Sequence, residues 1–216
     1  MTILSESFSN ALQPWMYAQL ESKPKKNKNI VIIFQIMSAV YIVLGLGISL
    51  FFNEVMLVFG KNYSEVISII PALIWGGVTS AISSLFVFVL FYFQDKAKYV
   101  AISTVIGAVA NFGLCFLLIP SFGLAGCAYS LSISKLIMCL IRCIASAKTI
   151  ECGYSVIIWT QAMALLTLLV STFLINSGFL VRLAAFFALT LVLILIVFKS
   201  IKSFIEILKD KSYTEQ

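Results

Sequence analysis

Six long apolar runs, separated by short polar loops, are the feature that most limits how this chain can fold. A helix needs about 20 mostly apolar residues to cross the hydrocarbon core of a bilayer. The runs are apolar all round, unlike soluble amphipathic helices, and lack the period-two alternation of membrane barrel strands. They are Asn29–Phe52, Ile67–Phe93, Tyr99–Ile119, Leu124–Ala145, Ser155–Ile175 and Gly178–Phe198. The sequence therefore predicts an all-α, polytopic membrane helical bundle with about six full transmembrane helices.

The composition argues against an enzyme. Hydrophobic residues make up 61% of the chain and charged residues 11%, against about 25% charged in a soluble domain. No histidine is present, which removes histidine-based acid–base and metal chemistry. The motifs GxGxxG, GxxxxGK[ST] and HExxH are missing. We therefore predict no catalytic residues and no cofactor.

The five cysteines are best explained as small buried hydrophobes. Four lie within apolar runs and no two form a CxxC pair, so the sequence predicts neither a disulfide framework nor a metal site. Cys139 and Cys143 are one helical turn apart, which leaves a soft-metal site as the less favoured alternative.

The lysines and arginines predict how the chain is oriented. Basic residues in short loops mark the cytoplasmic side, and twelve of the fifteen fall on one side of a strict alternation of loops. That side includes the Lys23–Lys28 loop, the stretch around Arg142 and the carboxyl terminus, which we expect to be cytoplasmic. Glu54 and Glu65 fall in an external loop, where we expect them to be solvated. Because the charges serve orientation, the net charge of +6 does not indicate nucleic acid as a partner.

The two ends of the chain predict structures other than full spans. Residues 1–20 are too polar and too short for a confident span, and Pro14 is expected to kink or end a helix there. We interpret them as a partial membrane helix, followed by a six-helix transmembrane bundle over 29–198. In residues 199–216, apolar side chains recur at helical spacing. This predicts a cytoplasmic amphipathic tail on the membrane surface, with a solvated end of the last span as the alternative.

Lys135 is the candidate site residue that packing explains least. It lies eleven residues past Leu124, about 16 Å along a helix and therefore near the midplane. A charge there costs a few kcal/mol or more, so it faces protein or water and often marks a pathway. We predict a cationic cavity wall that attracts an anionic substrate. The alternative is a lysine that snorkels to the surface.

Asn111 is expected at a similar depth on the preceding span. It lies eight residues before Ile119, about 12 Å from the outer end of that helix. The two spans meet at a four-residue turn and must run antiparallel, so Asn111 and Lys135 could face one cavity. Gln35, Tyr41 and Ser83 are further cavity candidates, although such polar residues also serve helix packing.

The stretch FQDKAKYVAISTVIGAVANFGLCFLLIPSFGLAGCAYSLSISK carries a resemblance. It resembles the carboxyl-terminal half of bacterial polysaccharide flippases, which export O-antigen and capsule repeat units and belong to the MATE-like multidrug/oligosaccharidyl-lipid/polysaccharide exporter superfamily. The matching pattern is Asn111, Leu118-Ile119-Pro120, Phe122-Gly123, Gly126-Cys127-Ala128 and Ser130. Cys127 stands where the family usually has alanine. The segment SFSNALQPWMYAQL also resembles the family before a basic cytoplasmic loop.

The resemblance implies one lobe of a two-lobe transporter in the bacterial inner membrane. The expected substrate is an undecaprenyl-diphosphate-linked oligosaccharide, and Lys135 and Asn111 would meet its anionic groups. Expected partners are the lipid bilayer, a polysaccharide polymerase and glycosyltransferases, or a separately encoded amino-terminal lobe. The partial first helix would then be a helix cut midway. A multidrug or small-molecule exporter lobe and an inactive truncated fragment are the alternatives.

Overall fold

The computed structural model describes residues 2–22, 28–54, 69–150, 174 and 177–214. Within these ranges the chain is helical and contains no strand, which confirms the all-α prediction. The described residues form α1 (Thr2–Ser22), α2 (Lys28–Leu50), α3 (Ile70–Tyr92), α4 (Lys98–Ile150) and α5 (Phe179–Thr214). A 3-10 turn, Gln94–Lys96, lies between α3 and α4.

Four helical stretches are long and apolar enough to cross a membrane. They are Asn29–Leu50, Ile70–Tyr92, Gln94–Thr149 and Phe179–Phe198. The third contains two of the six predicted spans. The predicted span Ser155–Ile175 lies almost entirely outside the described residues, so the count of six stays a prediction.

Helix α4 folds back on itself at Gly123, whose φ of 55° and ψ of −129° are not helical. Glycine adopts this positive φ without the steric cost of a Cβ atom. Cys115 Sγ lies 3.1 Å from Ser130 Oγ, and Gly107 packs against Met138. Both pairs are symmetric about the turn, so the first arm (98–122) and the second arm (124–150) are antiparallel.

The predicted helical hairpin is therefore confirmed, but the expected position of its break is wrong. The span predicted from the sequence ends at Ile119, just before Pro120, whereas the helix continues to the residue before Gly123. Pro120 has no N–H to donate to the carbonyl of Phe116, so the last turn of the first arm lacks one hydrogen bond. The backbone reverses where a positive φ is available.

Helix α3 is the centre of the bundle. It packs against α1, α2 and α4, while α2 also packs against α5. Ile82, Leu85 and Val89 on α3 are fully buried, and Phe86 meets Phe34 of α2 edge-to-face with ring centroids 5.0 Å apart. The helix begins with a proline in its first turn, where the missing N–H costs no hydrogen bond.

The hairpin and α5 expose large apolar side chains on their outer faces. The first arm exposes Val105, Val109, Phe112, Phe116 and Leu117, and α5 exposes Leu180, Phe187, Leu191 and Leu195. Lipid tails are as apolar as leucine, so such faces carry no penalty in a bilayer. This distribution fits a bundle surrounded by hydrocarbon.

Both ends of the chain are more regular than the sequence suggested. Helix α1 continues through Pro14 to Ser22, so the helix does not end near Pro14, and the alternative of a kink there stays a prediction. Met16 and Leu20 of α1 are fully buried in the core. At the other end, α5 continues past the last apolar span as far as Thr214. The residues 23–27 of the predicted cytoplasmic loop lie outside the described part of the chain.

Candidate functional site

The candidate site is the interface between α3 and the second arm of α4, which run parallel. At one end, Ser132 Oγ lies 2.5 Å from the carbonyl oxygen of Ala72 and 2.9 Å from that of Ala128, and its single proton is shared between these two acceptors. A Cβ atom on Gly76 would lie 2.9 Å from Ser132 Oγ. Only glycine therefore allows this close approach, which is the packing that small residues permit in membranes.

At the other end of this interface, Arg142 joins three helical segments. Its Nε donates to Ser103 Oγ at 2.9 Å, its Nη1 to Ser83 Oγ at 3.0 Å, and its Nη2 to Thr104 Oγ1 at 2.9 Å. The arginine is 8% exposed. Ser103 and Thr104 each also donate to the carbonyl of Val100, so both hydroxyls have a lone pair free to accept from the guanidinium.

The structure adds burial to the sequence-based interpretation of Arg142. We expected a basic cytoplasmic stretch around it, at the end of the span Leu124–Ala145, and the side of the membrane stays a prediction. The second arm remains helical to Ile150, and the guanidinium lies inside the bundle. Three hydroxyls replace the water that a loop arginine would have.

Lys135 lies between Ser132 and Arg142 on the same face of the second arm, since these residues are three and seven positions away. Its side chain is partly buried, and among the described residues its ammonium has no hydrogen bond or ion pair. On α3, Thr79 falls between Gly76 and Ser83 and is therefore level with Lys135. Thr79 Oγ1 is buried and has no hydrogen-bond partner within the described part of the chain.

Asn111 is level with Lys135 on the hairpin. It lies between the Gly107–Met138 contact and the Cys115–Ser130 contact, which place it opposite the turn that contains Lys135. Its Oδ1 is 3.9 Å from Cys115 Sγ on its own helix. The structure thus gives the two predicted residues a common depth, while a joint cavity stays a prediction.

The other predicted cavity residues are spread over two helices. Ser83 is fully buried at the interface as a partner of Arg142. Gln35 and Tyr41 are on α2, which packs against α3 and α5. Tyr41 belongs to the apolar core with 1% exposure, and Gln35 is partly buried. Their role in a cavity stays a prediction.

A second buried arginine joins the ends of α2 and α5. Arg182 Nη1 donates to the carbonyl of Leu50 at 2.8 Å, and its two terminal nitrogens bind Glu54 Oε2 at 3.1 Å and Oε1 at 2.7 Å. The expectation that Glu54 is simply solvated is therefore incomplete. Its side chain is 34% exposed and forms a bidentate ion pair.

The charges at the α3–α4 interface are all positive. Residues 70–92 and 98–150 contain no aspartate or glutamate, so Lys135 and Arg142 have no carboxylate on either helix. The described residues include no group of three or more metal-ligand side chains, although Cys139 and Cys143 are both buried in the core. The arrangement can attract an anion, and it offers no general base.

Sequence reasoning missed the role of Arg142, because its partners come from α3 and the first arm. The only signal in the sequence was a set of hydroxyl residues on two neighbouring apolar runs. No protein family, curated protein or solved structure matches this chain.

Proposed function

We propose that this chain is the carboxyl-terminal lobe of a flippase for lipid-linked oligosaccharides. It would move undecaprenyl-diphosphate-linked repeat units across a bacterial inner membrane, with the α3–α4 interface as part of the substrate path. The observation that carries the proposal is a pair of cations, Lys135 and Arg142, on the second arm of α4, where it packs against α3 and neither helix contains a carboxylate.

The two cations have different roles in this proposal. Arg142 has three hydroxyl partners and fixes the second arm against α3 and the first arm. Lys135 is partly buried and has no such partners among the described residues. A cation near the bilayer midplane has to face water or a partner of opposite charge, and an anionic diphosphate would be that partner each time it passes.

The hairpin supports the proposal independently. The residues that carry the resemblance to polysaccharide flippases include Gly123, Gly126 and Ser130. In the structure Gly123 makes the turn, Gly126 packs against the backbone of Leu118, and Ser130 contacts Cys115. The matched pattern is thus the set of residues that forms a tight hairpin and carries Asn111 and Lys135 to one depth.

Alternating access is the mechanism that fits such a lobe. In transporters of this kind the lobes rock around a central site near the midplane. Lys135 and Asn111 would bind the anionic part of the substrate, and the apolar outer faces would stay in lipid. The described helices α3 and α4 contain no acidic residue that could couple transport to an ion, so coupling would use other parts of the transporter.

The test is to replace Lys135 by alanine in the native gene and measure surface polysaccharide. We expect export to fall about ten-fold, the effect of losing about 1.4 kcal/mol of substrate interaction. Lys135→Arg should retain most export because it keeps the charge. Lys98→Ala is the matched control, since Lys98 is exposed on the first arm. Normal export by Lys135→Ala at normal protein levels would contradict the proposal.

A further inference from the structure

A basic cavity lies at the end of the hairpin that is far from Gly123. Its volume is about 230 Å³. It is formed by the start of α4, by the preceding 3-10 turn and by the last turns of the second arm. Its polar lining residues are Lys96, Lys148, Tyr99 and Thr149. Lys135 and Arg142 do not line it, so it is separate from the candidate site.

Among the described residues, nothing balances the positive charge of this cavity. Lys148 is exposed and Lys96 is partly buried, and neither forms an ion pair with another described residue. Asp95 is next to Lys96 in the chain, but it is exposed and does not line the cavity. The Thr149 hydroxyl already donates to the carbonyl of Ala145 at 2.8 Å, so the two lysines and the Tyr99 hydroxyl are the donors suited to a phosphate group, whose oxygens accept hydrogen bonds.

The remaining wall is apolar and leads onto the outer surface of the hairpin. Ile141, Ile144 and Ala145 line the cavity, and Ile144 is 47% exposed. A ligand here would meet cations at one end and hydrocarbon at the other. A free phosphate ion would contact only the cationic end of the cavity, whereas a phospholipid would contact both the cationic end and the apolar wall.

The position in the bundle points to the same ligand. Lys96 and Lys148 lie on the side that the distribution of basic residues predicts to be cytoplasmic. The cytoplasmic leaflet is the one enriched in anionic lipids, and basic pockets between membrane helices on that side bind their headgroups. We propose that this cavity binds the phosphate headgroup of an anionic phospholipid, with an acyl chain along Ile141 and Ile144.

The proposal does not depend on the transport function. It assigns a lipid site to the end of the hairpin that contains Arg142 and two of its hydroxyl partners, Ser103 and Thr104. A bound lipid would connect the start of the first arm to the end of the second arm. It would therefore hold together the part of the hairpin where the α3 contact through Ser83 is made.

Native mass spectrometry of the purified protein tests the proposal, with phosphatidylglycerol and phosphatidylcholine of identical acyl chains as probes. We expect the first phosphatidylglycerol to bind more tightly than phosphatidylcholine. Each lysine near the headgroup contributes about 1 kcal/mol, so Lys96→Gln or Lys148→Gln should weaken that binding about five-fold and the double variant about 30-fold. Binding of phosphatidylcholine should not change.

A double variant of Lys98→Gln with Lys202→Gln is the matched control. Both lysines are exposed, both are predicted on the cytoplasmic side and neither lines the cavity, so the net charge changes equally. Equal weakening by both double variants would overturn the proposal, because it would show a general charge effect. The single variants repeat the comparison if the double variant folds poorly.

Inorganic phosphate distinguishes the two sources of a phosphate group. If the cavity binds a lipid through both its halves, a large molar excess of inorganic phosphate should leave phosphatidylglycerol bound. Displacement of the lipid by inorganic phosphate would overturn the lipid assignment. Equal affinity of the wild-type protein for the two lipids would also overturn it.

Discussion

The two buried arginines bind different kinds of acceptor. Arg182 binds a carboxylate and a backbone carbonyl, so its charge is neutralised where α2 meets α5. Arg142 binds three hydroxyls, so its hydrogen bonds are made but its charge remains. Arg182 therefore forms a charge-neutral structural contact, whereas Arg142 keeps the α3–α4 interface positively charged.

The difference follows from how each helix pair is built. Glu54 lies beyond the end of α2, where a half-exposed carboxylate can reach water. The α3–α4 interface is made of two apolar helices with small and hydroxyl side chains, and a carboxylate there would cost more than serine or threonine. The positive charge is therefore a property of the interface and extends over both Arg142 and Lys135.

The largest expected loss of stability comes from breaking the ion pair between Arg182 and Glu54. Glu54→Ala should leave the guanidinium of Arg182 buried with only the carbonyl of Leu50 as a partner. Removing one member of a buried ion pair costs about 3 kcal/mol or more, and the free energy of unfolding in detergent should fall by about that amount. Glu54→Gln should retain part of it through one hydrogen bond. A loss below about 0.5 kcal/mol would mean that the pair behaves as a surface contact.

The second largest loss of stability is expected from overpacking the tight hairpin. This change affects the helix that carries Arg142 and leaves the Arg182–Glu54 pair intact. A Cβ on Gly126 would clash with the backbone of Leu118, which cannot move aside, whereas one on Gly113 would meet nothing within 4 Å. Gly126→Ala should cost about 2 kcal/mol by overpacking, and Gly113→Ala should cost nothing. Similar unfolding curves for the two variants would show that the arms are not in close contact.

Ser83 and Ser84 are neighbours on α3, and only Ser83 binds Arg142, so the stability lost on replacing each of them can be compared directly. Ser83 accepts a hydrogen bond from Arg142 at 3.0 Å, while Ser84 donates to the carbonyl of Ala81 on its own helix. A hydrogen bond to a charged group contributes about 1.5 kcal/mol, so Ser83→Ala should lose about that much stability. Ser84→Ala should lose less than about 0.5 kcal/mol. Equal losses would remove Arg142 as the reason for the difference.

The sequence predicted the local features of the fold better than the contacts across it. The hairpin was predictable because Gly123 and the small residues around it act within one short stretch. The Arg182–Glu54 pair joins residues 128 positions apart, and no local pattern marks such a pair. Arg142 was read as part of a basic cytoplasmic stretch because lysines and arginines near the end of a span usually mark that side. Only the positions of Ser83, Ser103 and Thr104 show that it is buried.

The depth of Lys135 and Asn111 was also predictable, since it follows from helical rise on both sides of one turn. What the sequence did not indicate is the face of the second arm that carries Lys135. That face is set by the contacts of Ser132 with Ala72 and of Arg142 with Ser83. Gln35 and Tyr41 could not be placed relative to it, because their positions depend on how α2 packs against α3.

The central claim is that Lys135 lines a path open to water, and the accessibility of position 135 tests it most directly. In a variant without native cysteines, Lys135→Cys would be exposed to a charged, membrane-impermeant thiol reagent. Lys98→Cys, on an exposed end of the hairpin, and Phe116→Cys, on its apolar outer face, are the positive and negative controls. We expect position 135 to react as position 98 does and position 116 to stay unreacted. If position 135 also stays unreacted while position 98 is labelled, Lys135 faces lipid or protein and the account is contradicted.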